Sequence, residues 1–215
     1  LYAEYAFVDI LVKSFKQHDA IPIAVGSGTI NDLTKLSSHL TSRPYMCIAT
    51  AASMDGYTAF GASITADGAK QTFNCPAPQA CLADIDIIAK APREMTASGY
   101  ADLFAKITAG ADWILADALG VEPVDKQSWS IVQDGLQESL ADPKGVSDGQ
   151  EKAISDLIQG LMLGGFAMQS SMSSRPASGA EHQFSHLWNM EHHTNSGEHI
   201  SHGFQVAIGT LAITA

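Results

Sequence analysis

The chain has 215 residues, 46% hydrophobic and 16% charged, enough apolar material for a sizeable core and too little charge for a disordered segment. A formal net charge of −11 with only 12 Lys and Arg excludes general binding to phosphate backbones, so no nucleic-acid partner is expected. The three cysteines Cys47, Cys75 and Cys81 lack C-x-x-C spacing, which excludes a disulfide framework and points to a reducing, cytoplasmic compartment.

Residues 1–18 carry apolar side chains at helical spacing. Ile21–Val25 reads as a short buried strand closed by Gly26-Ser27-Gly28, and Thr29–Leu36 resumes the helical period. Tyr45–Ala49 is a second short strand, followed by the small and polar run Thr50-Ala-Ala-Ser-Met-Asp55-Gly56. Strand, glycine turn, helix and strand in that order predict a βαβ unit with a parallel sheet. Residues 60–74 predict a hairpin turning at Asp67-Gly68, and a further strand is expected over Ala83–Ile88.

Beyond residue 91 the strand signals stop. Helical patterns follow over 91–118, 126–141, 148–171, 178–191 and 198–214, with Asp125 and Asp148 as N-caps and Asp142-Pro143 in a loop. The expected organisation is an α/β nucleotide-binding domain over residues 1–90 and a helical domain over 91–215. The chain opens inside an apolar-periodic pattern and stops inside the apolar run Val206–Ala215. It therefore reads as an internal piece of a longer protein, missing its first strands and its C-terminal end. No apolar run reaches the ~18 residues of a bilayer-spanning helix, so no membrane insertion is expected.

Four stretches carry chemistry. Gly28-Thr29-Ile30-Asn31-Asp32 follows a strand and opens a helix, where unpaired N–H groups can hold a diphosphate; a tight turn without ligand is the alternative. Thr50-Ala51-Ala52-Ser53 and Asp55 end the next strand, and ligands of open α/β sheets sit beyond the carboxyl ends of strands. Asp55 reads equally as a cap or turn residue. Asp102 and Lys106 stand four apart on a helix, within ~6 Å of one another, as a surface ion pair or as a buried carboxylate with its cation.

Six of the eight histidines lie between residues 182 and 202. Neutral imidazole is a common metal ligand near pH 7, and two of them with a distant carboxylate would hold a divalent ion with an open position. His182 and His186 are four apart, hence on one helix face, and His202 opens the last apolar segment. His192, His193 and His199 sit in or beside the polar insert Glu191–Glu198 and read as solvated. A wholly solvated cluster is the competing reading.

Ala24–Leu33, Thr50–Tyr57, Ala105–Trp113 and Ser174–His182, taken in order, resemble the sn-glycerol-1-phosphate dehydrogenase family in its bacterial form. That family lies within the superfamily of iron-containing alcohol dehydrogenases, glycerol dehydrogenases and dehydroquinate synthases. The resemblance covers nearly the whole chain and implies a Rossmann-like N-terminal domain, an all-α C-terminal domain and a site in the cleft between them. It implies Asp102, His182 and His202 as metal ligands, and Asp55, His186 and Asp102 as substrate contacts, with Asp102 and His186 catalytic. Gly28 through Asp32 and Thr50 through Ser53 are implied as cofactor contacts. Two positions depart from the family: Ala59 replaces a frequent serine, and Lys106 replaces the histidine that related four-ligand sites place four residues after the aspartate.

The implied reaction is NAD(P)H-dependent, reversible reduction of dihydroxyacetone phosphate to sn-glycerol 1-phosphate. The cofactors are NAD or NADP and one divalent metal (Zn, Ni or Fe) that polarises the ketone. The implied partners are a small phosphorylated triose and a second copy of the chain in a homodimer. Three rivals share the plan: a glycerol dehydrogenase acting on an unphosphorylated polyol, a dehydroquinate synthase-like lyase, and a catalytically dead metal-binding fragment.

Overall fold

The computed structural model describes residues 2–215. Leu1, which falls within the first predicted segment, lies outside the described residues. Helix α1 (Tyr5–Phe15) precedes strand β1 (Ile23–Gly26), helix α2 (Gly28–Leu40) and strand β2 (Met46–Ala49). Strands β3 (Ala62–Ala66) and β4 (Ala69–Phe73) form a hairpin, and β5 (Ala80–Ala83) returns to the first sheet. That sheet is parallel in the order β1-β2-β5, with Ala24 opposite Cys47 and Cys47 opposite Cys81. Helix α2 makes the crossover that the parallel pairing of β1 and β2 requires.

The hairpin turns where the sequence predicts, because Asp67 (φ 52°) and Gly68 (φ 77°) both take the left-handed backbone that a two-residue turn requires. Two expectations for this half are corrected. β1 is not a buried strand: it lies at the sheet edge, and Ile23 and Val25 are 57% and 58% exposed while only Ala24 points into the core. The last strand ends at Ala83, because Asp84 accepts a hydrogen bond from the Ile87 N–H and starts the short helix α3 (Ile85–Ile88) instead.

The second half is helical, and its long predicted segments are broken. Residues 91–118 divide at Ala105 into α4 (Arg93–Phe104) and α5 (Lys106–Ala118). Residues 126–141 divide at Asp134-Gly135 into α6 (Lys126–Gln133) and α7 (Leu136–Ser139). Asp125 caps α6 as expected, through the Ser128 N–H. Asp148 is no cap: it ends α8 (Pro143–Asp148), a helix capped by Asp142 with Pro143 in its first turn, so the expected loop is a helix start. Gly149, in the left-handed conformation, separates α8 from α9 (Glu151–Ser171).

Helices α10 (Ala180–Met190) and α11 (His202–Thr214) close the chain. Between them the polar insert folds into a two-residue hairpin, β6 (Thr194–Asn195) with β7 (Glu198–His199). Among the described residues no helix is long and apolar enough to cross a membrane.

The main core joins both halves. Ala24, Tyr45, Cys47 and Ala49 of the sheet region meet Leu103, Ile154, Leu157 and Leu161 of α4 and α9. Leu161 is fully buried, so Leu161→Ala would leave a cavity costing ~2–5 kcal/mol. A second cluster of Val8, Leu33, Leu36 and Ile64 fastens α1 and the β3–β4 hairpin to α2.

Two glycines bring the backbones into contact that positions the site. A methyl group on Gly99 of α4 would overlap the Ala52 carbonyl, and one on Gly203 of α11 would overlap the Ser98 carbonyl. Ser98 then hydrogen-bonds in both directions, donating to the Ser53 carbonyl (3.3 Å) and accepting from the Gly203 N–H (3.2 Å). The strand-end loop, α4 and the start of α11 are thereby locked together.

Candidate metal and cofactor site

The structure brings Asp102, His182 and His202 together, from α4, α10 and α11. One ligand atom of each lies within 4.8 Å of the others. Asp102 has no solvent exposure and His182 is 4% exposed. His182 Nε2 stands 3.5 Å from Asp102 Oδ1, and the two imidazole centroids are 5.2 Å apart.

Burying a carboxylate is costly without cations and donors around it. Asp102 has both. Lys106 Nζ lies 2.7 Å from its Oδ1, and the Asp55 backbone N–H donates to its Oδ2 at 3.1 Å. Lys106 also lies 2.7 Å from Asp55 Oδ2, so one fully buried ammonium joins two carboxylates that are 47 residues apart. Of the two alternatives for Asp102 and Lys106, the buried pair is the one observed.

These contacts set the ionisation of the cluster. Burial acts to raise the pKa of Asp102, but Lys106 and the two imidazoles outweigh it and hold the carboxyl well below the usual range. Asp55 is pushed up, first by burial and then by the charge of Asp102. His202 is lowered to about 3 by burial, and so stays a neutral donor near pH 7. His182 is raised: burial opposes the charged ring, yet its contacts with Asp102 and Glu181 prevail.

Glu181, for which sequence reasoning assigned no role, stands behind His182 in the same cluster. Its carboxylate is buried and accepts from His182 Nδ1 at 2.7 Å. Two nitrogen donors and one carboxylate, with the Asp55 and Glu181 carboxyl groups beside them and Lys106 as the one cation between Asp55 and Asp102, fit a divalent cation.

The second half of the site is made of backbone. Gly28, Thr29 and Ile30 open α2, and their N–H groups have no acceptor among the described residues. Such a helix start attracts anionic groups. The Thr50–Ser53 turn lies beside it, with the Thr50 N–H donating to the Gly26 carbonyl at 3.1 Å. Gly28 packs on Met54, and a methyl there would sit 3.0 Å from the Met54 Cε. A diphosphate fits this glycine-lined helix start.

Some predicted contacts are otherwise engaged. Asn31 is buried, its amide donating to the Gly56 carbonyl (3.2 Å) and accepting from the Tyr45 hydroxyl (3.1 Å). The Asp32 carboxylate accepts from the Ser63 N–H at 3.2 Å and so holds the hairpin to α2. Ala51 and Ala52 are buried, and the Ala51 carbonyl accepts from Tyr57 Oη at 2.7 Å.

His186 stands apart. One turn beyond His182 it is exposed, and it lines a cavity of about 610 Å³ with Asp112, Arg175 and Gln183. No hydrogen bond joins it to the Asp102 cluster among the described residues. The protein around it, then the charges of His182 and Lys70, lower its pKa. His192, His193 and His199 are exposed on the β6–β7 hairpin and its margin, as expected.

Two lysines escaped the sequence reading. Lys35 of α2 is buried and donates to the carbonyls of Gly56 (2.9 Å), Ala59 (2.8 Å) and Gly61 (2.9 Å), clasping the loop that follows Asp55. Lys70 of β4 is half-buried and has no ion-pair partner among the described residues, and its charge lowers the pKa of both His186 and His202.

The fold is that of glycerol dehydrogenases and iron-containing alcohol dehydrogenases of known structure. Residues 2–92 match the family model described as iron-containing alcohol dehydrogenase. The glycerol dehydrogenase of Schizosaccharomyces pombe superposes with a TM-score of 0.72 at 20% identity, covering 99% of this chain and 55% of that one. More particularly, the chain is homologous to glycerol-1-phosphate dehydrogenases (NAD(P)+). That of Halalkalibacterium halodurans is 35% identical over 212 residues, 99% of this chain and 53% of that protein. That of Pyrococcus horikoshii is 38% identical over 189 residues, 88% of this chain and 54% of that protein. The chain spans about half the length of the curated relatives it matches.

Proposed function

We propose that this chain is the core of a metal- and nicotinamide-dependent oxidoreductase that interconverts dihydroxyacetone phosphate and sn-glycerol 1-phosphate. The observation that carries the reading is the convergence of Asp102, His182 and His202 beside the helix start at Gly28. The homologous glycerol-1-phosphate dehydrogenases support the choice of substrate. In this reading residues 1–90 form the nucleotide-binding domain and residues 91–215 the metal- and substrate-binding domain. The intact protein is a cytoplasmic homodimer.

Asp102, His182 and His202 would hold the divalent metal, and Gly28 to Asp32 with Thr50 to Ser53 would line the cofactor. When bound, the metal supplies positive charge to a substrate oxygen and the nicotinamide supplies the hydride. Zn, Ni and Fe all suit a donor set of two imidazoles and one carboxylate.

The chain's own residues do the rest. Lys106 keeps Asp102 ionised and holds the Asp55 carboxylate, which is 14% exposed and so can accept a hydrogen bond from a substrate hydroxyl. His186, open to water, exchanges protons between substrate and solvent. The phosphate needs a cation that is not already paired. Lys106 is held between two carboxylates and Arg175 is paired with Glu122 at 2.8 Å. Lys70 has no ion-pair partner among the described residues and its charge reaches His186 and His202, and we assign the phosphate to it. This assignment separates the enzyme from a glycerol dehydrogenase, whose substrate carries no such charge.

Metal analysis of Asp102→Asn in the intact protein, with NAD(P)H oxidation by dihydroxyacetone phosphate, tests the reading. Metal and turnover are expected to vanish together, and a fully active variant would overturn the ligand set. Lys70→Met should raise KM for dihydroxyacetone phosphate and leave KM for unphosphorylated dihydroxyacetone unchanged.

A further inference from the structure

A ligating imidazole is useful only when one ring nitrogen is free and aimed, and the partner of the other nitrogen decides both. Resting on the three-ligand reading above, we propose that Glu181 and Ser185 are the positioning residues of the site. Glu181 sets the ring of His182. Ser185, itself fixed by Gln205 and Asn189, sets the ring of His202.

Glu181 is fully buried at the start of α10, and three donors converge on it. Its Oε1 accepts from the Gly179 N–H and from His182 Nδ1, both at 2.7 Å, and its Oε2 accepts from the Thr108 hydroxyl at 3.0 Å. An ionised carboxylate only accepts, so the hydrogen sits on His182 Nδ1. The nitrogen left free is Nε2, the one that faces Asp102 at 3.5 Å. Thr108 belongs to α5, so the same carboxylate also ties α10 to the neighbouring helix.

At His202 a closed ring of neutral groups does the equivalent work. Ser185 Oγ donates to Gln205 Oε1 at 2.7 Å, Gln205 Nε2 donates to Asn189 Oδ1 at 3.3 Å, and Asn189 Nδ2 donates back to Ser185 Oγ at 3.4 Å. A hydroxyl has one hydrogen, and that of Ser185 is spent on Gln205. Toward His202 Nδ1, 3.0 Å away, Ser185 Oγ therefore accepts. The hydrogen of His202 is again on Nδ1, and Nε2 is again the free nitrogen. Ser185 and Gln205 are both buried, so water does not compete for these bonds. The two supports differ in kind: an anion stands behind His182 and a neutral hydroxyl behind His202.

Co²⁺ is the probe, because its visible absorption reports ligand number and geometry without any turnover. In the intact protein, Glu181→Ala and Ser185→Ala are each expected to weaken Co²⁺ binding about 10–100-fold in chelator competition and to change the absorption band. Glu181→Gln keeps an acceptor opposite His182 Nδ1 and should recover most of the loss and the parent band. Thermal unfolding without metal serves as the control, since a purely structural role would lower that midpoint and leave the affinity of the folded fraction and its spectrum unchanged. That result overturns the proposal. If Glu181→Ala does not fold, Ser185→Ala and Glu181→Gln decide it by the same two readouts. Asp102→Asn separates the two levels of inference. Retention of Co²⁺ in that variant sinks the three-ligand reading. Loss of Co²⁺ there, with parent-like Glu181→Ala and Ser185→Ala, sinks only the positioning roles.

Discussion

At the carboxyl ends of β1 and β2 the crevice is lined by glycine, alanine, serine and threonine, and its binding groups are backbone N–H donors. A short distance away, α4, α5, α10 and α11 contribute two carboxylates, an ammonium and two imidazoles, and the Asp55 carboxylate joins them from the loop after β2, all removed from bulk water or nearly so. The first region works by leaving space and unpaired donors, so its side chains matter for being small. The second works by stored charge, so each side chain depends on its partners. The two regions should therefore fail in different ways: the helical cluster through folding and metal uptake, the crevice through ligand affinity alone.

The largest effect is expected from Lys106→Met. It leaves Asp55 and Asp102 facing each other in a buried space, and removing one member of such a group costs ~3–5 kcal/mol. Urea unfolding without metal should show this loss, and added divalent metal should restore part of it by binding the folded state. An unchanged midpoint would mean that the carboxylates do not rely on Lys106.

The pH dependence of the metal-free protein sharpens the comparison. His202 titrates near 3 when folded against its ordinary 6.5. Below about 6.5 the unfolded chain takes up a proton that the folded chain refuses. The stability owed to neutral His202 is thus complete above 6.5 and is lost progressively as the pH falls toward 3. His182 has the opposite sign. Its pKa is raised on folding, so its contribution is complete below 6.5 and disappears as the pH climbs through the raised value. Substituting His202 by Gln should flatten the acid limb of the stability profile, and a profile that keeps its slope would contradict the assignment. No titratable side chain of the crevice turn Thr50–Ser53 contributes to this profile.

The smallest effect lies in the crevice. In Gly28→Ala the new methyl first meets the Met54 side chain, a flexible thioether that can give way, so the fold should keep its unfolding midpoint. Cofactor affinity, followed by nicotinamide fluorescence, should fall about tenfold, or ~1.4 kcal/mol. A large drop in stability would mean that the region is not built on spare space.

The same contrast explains what could be read from the sequence. Strand, glycine turn and helix are local patterns, as is the Asp67-Gly68 turn, so the βαβ unit and the hairpin were legible. The breaks at Ala105 and at Asp134-Gly135 carry no proline and a single glycine between them, so tertiary packing, not propensity, ends those helices. Asp148 and Asp142 are equally good caps by type, and only the position of Pro143 in a first turn distinguishes them. Apolar helical context separated His182, His186 and His202 from the solvated histidines, but it did not show that His186 faces water while His182 is buried.

Lys35, Lys70 and Glu181 were not legible, because their partners or their surroundings are set by the fold. Lys35 grips carbonyls 21 to 26 residues away, and a backbone carbonyl has no sequence signature. Glu181 had one usable signal, its place immediately before a histidine already suspected of ligation.

The grip of Lys35 has a mechanical consequence. The Gly56 carbonyl receives hydrogen bonds from both Lys35 and Asn31, and both residues belong to the helix whose first turn faces the crevice. A tilt of that helix is handed directly to the neighbouring Asp55, so the glycine turn and the buried carboxylates are coupled as one lever, not as independent parts.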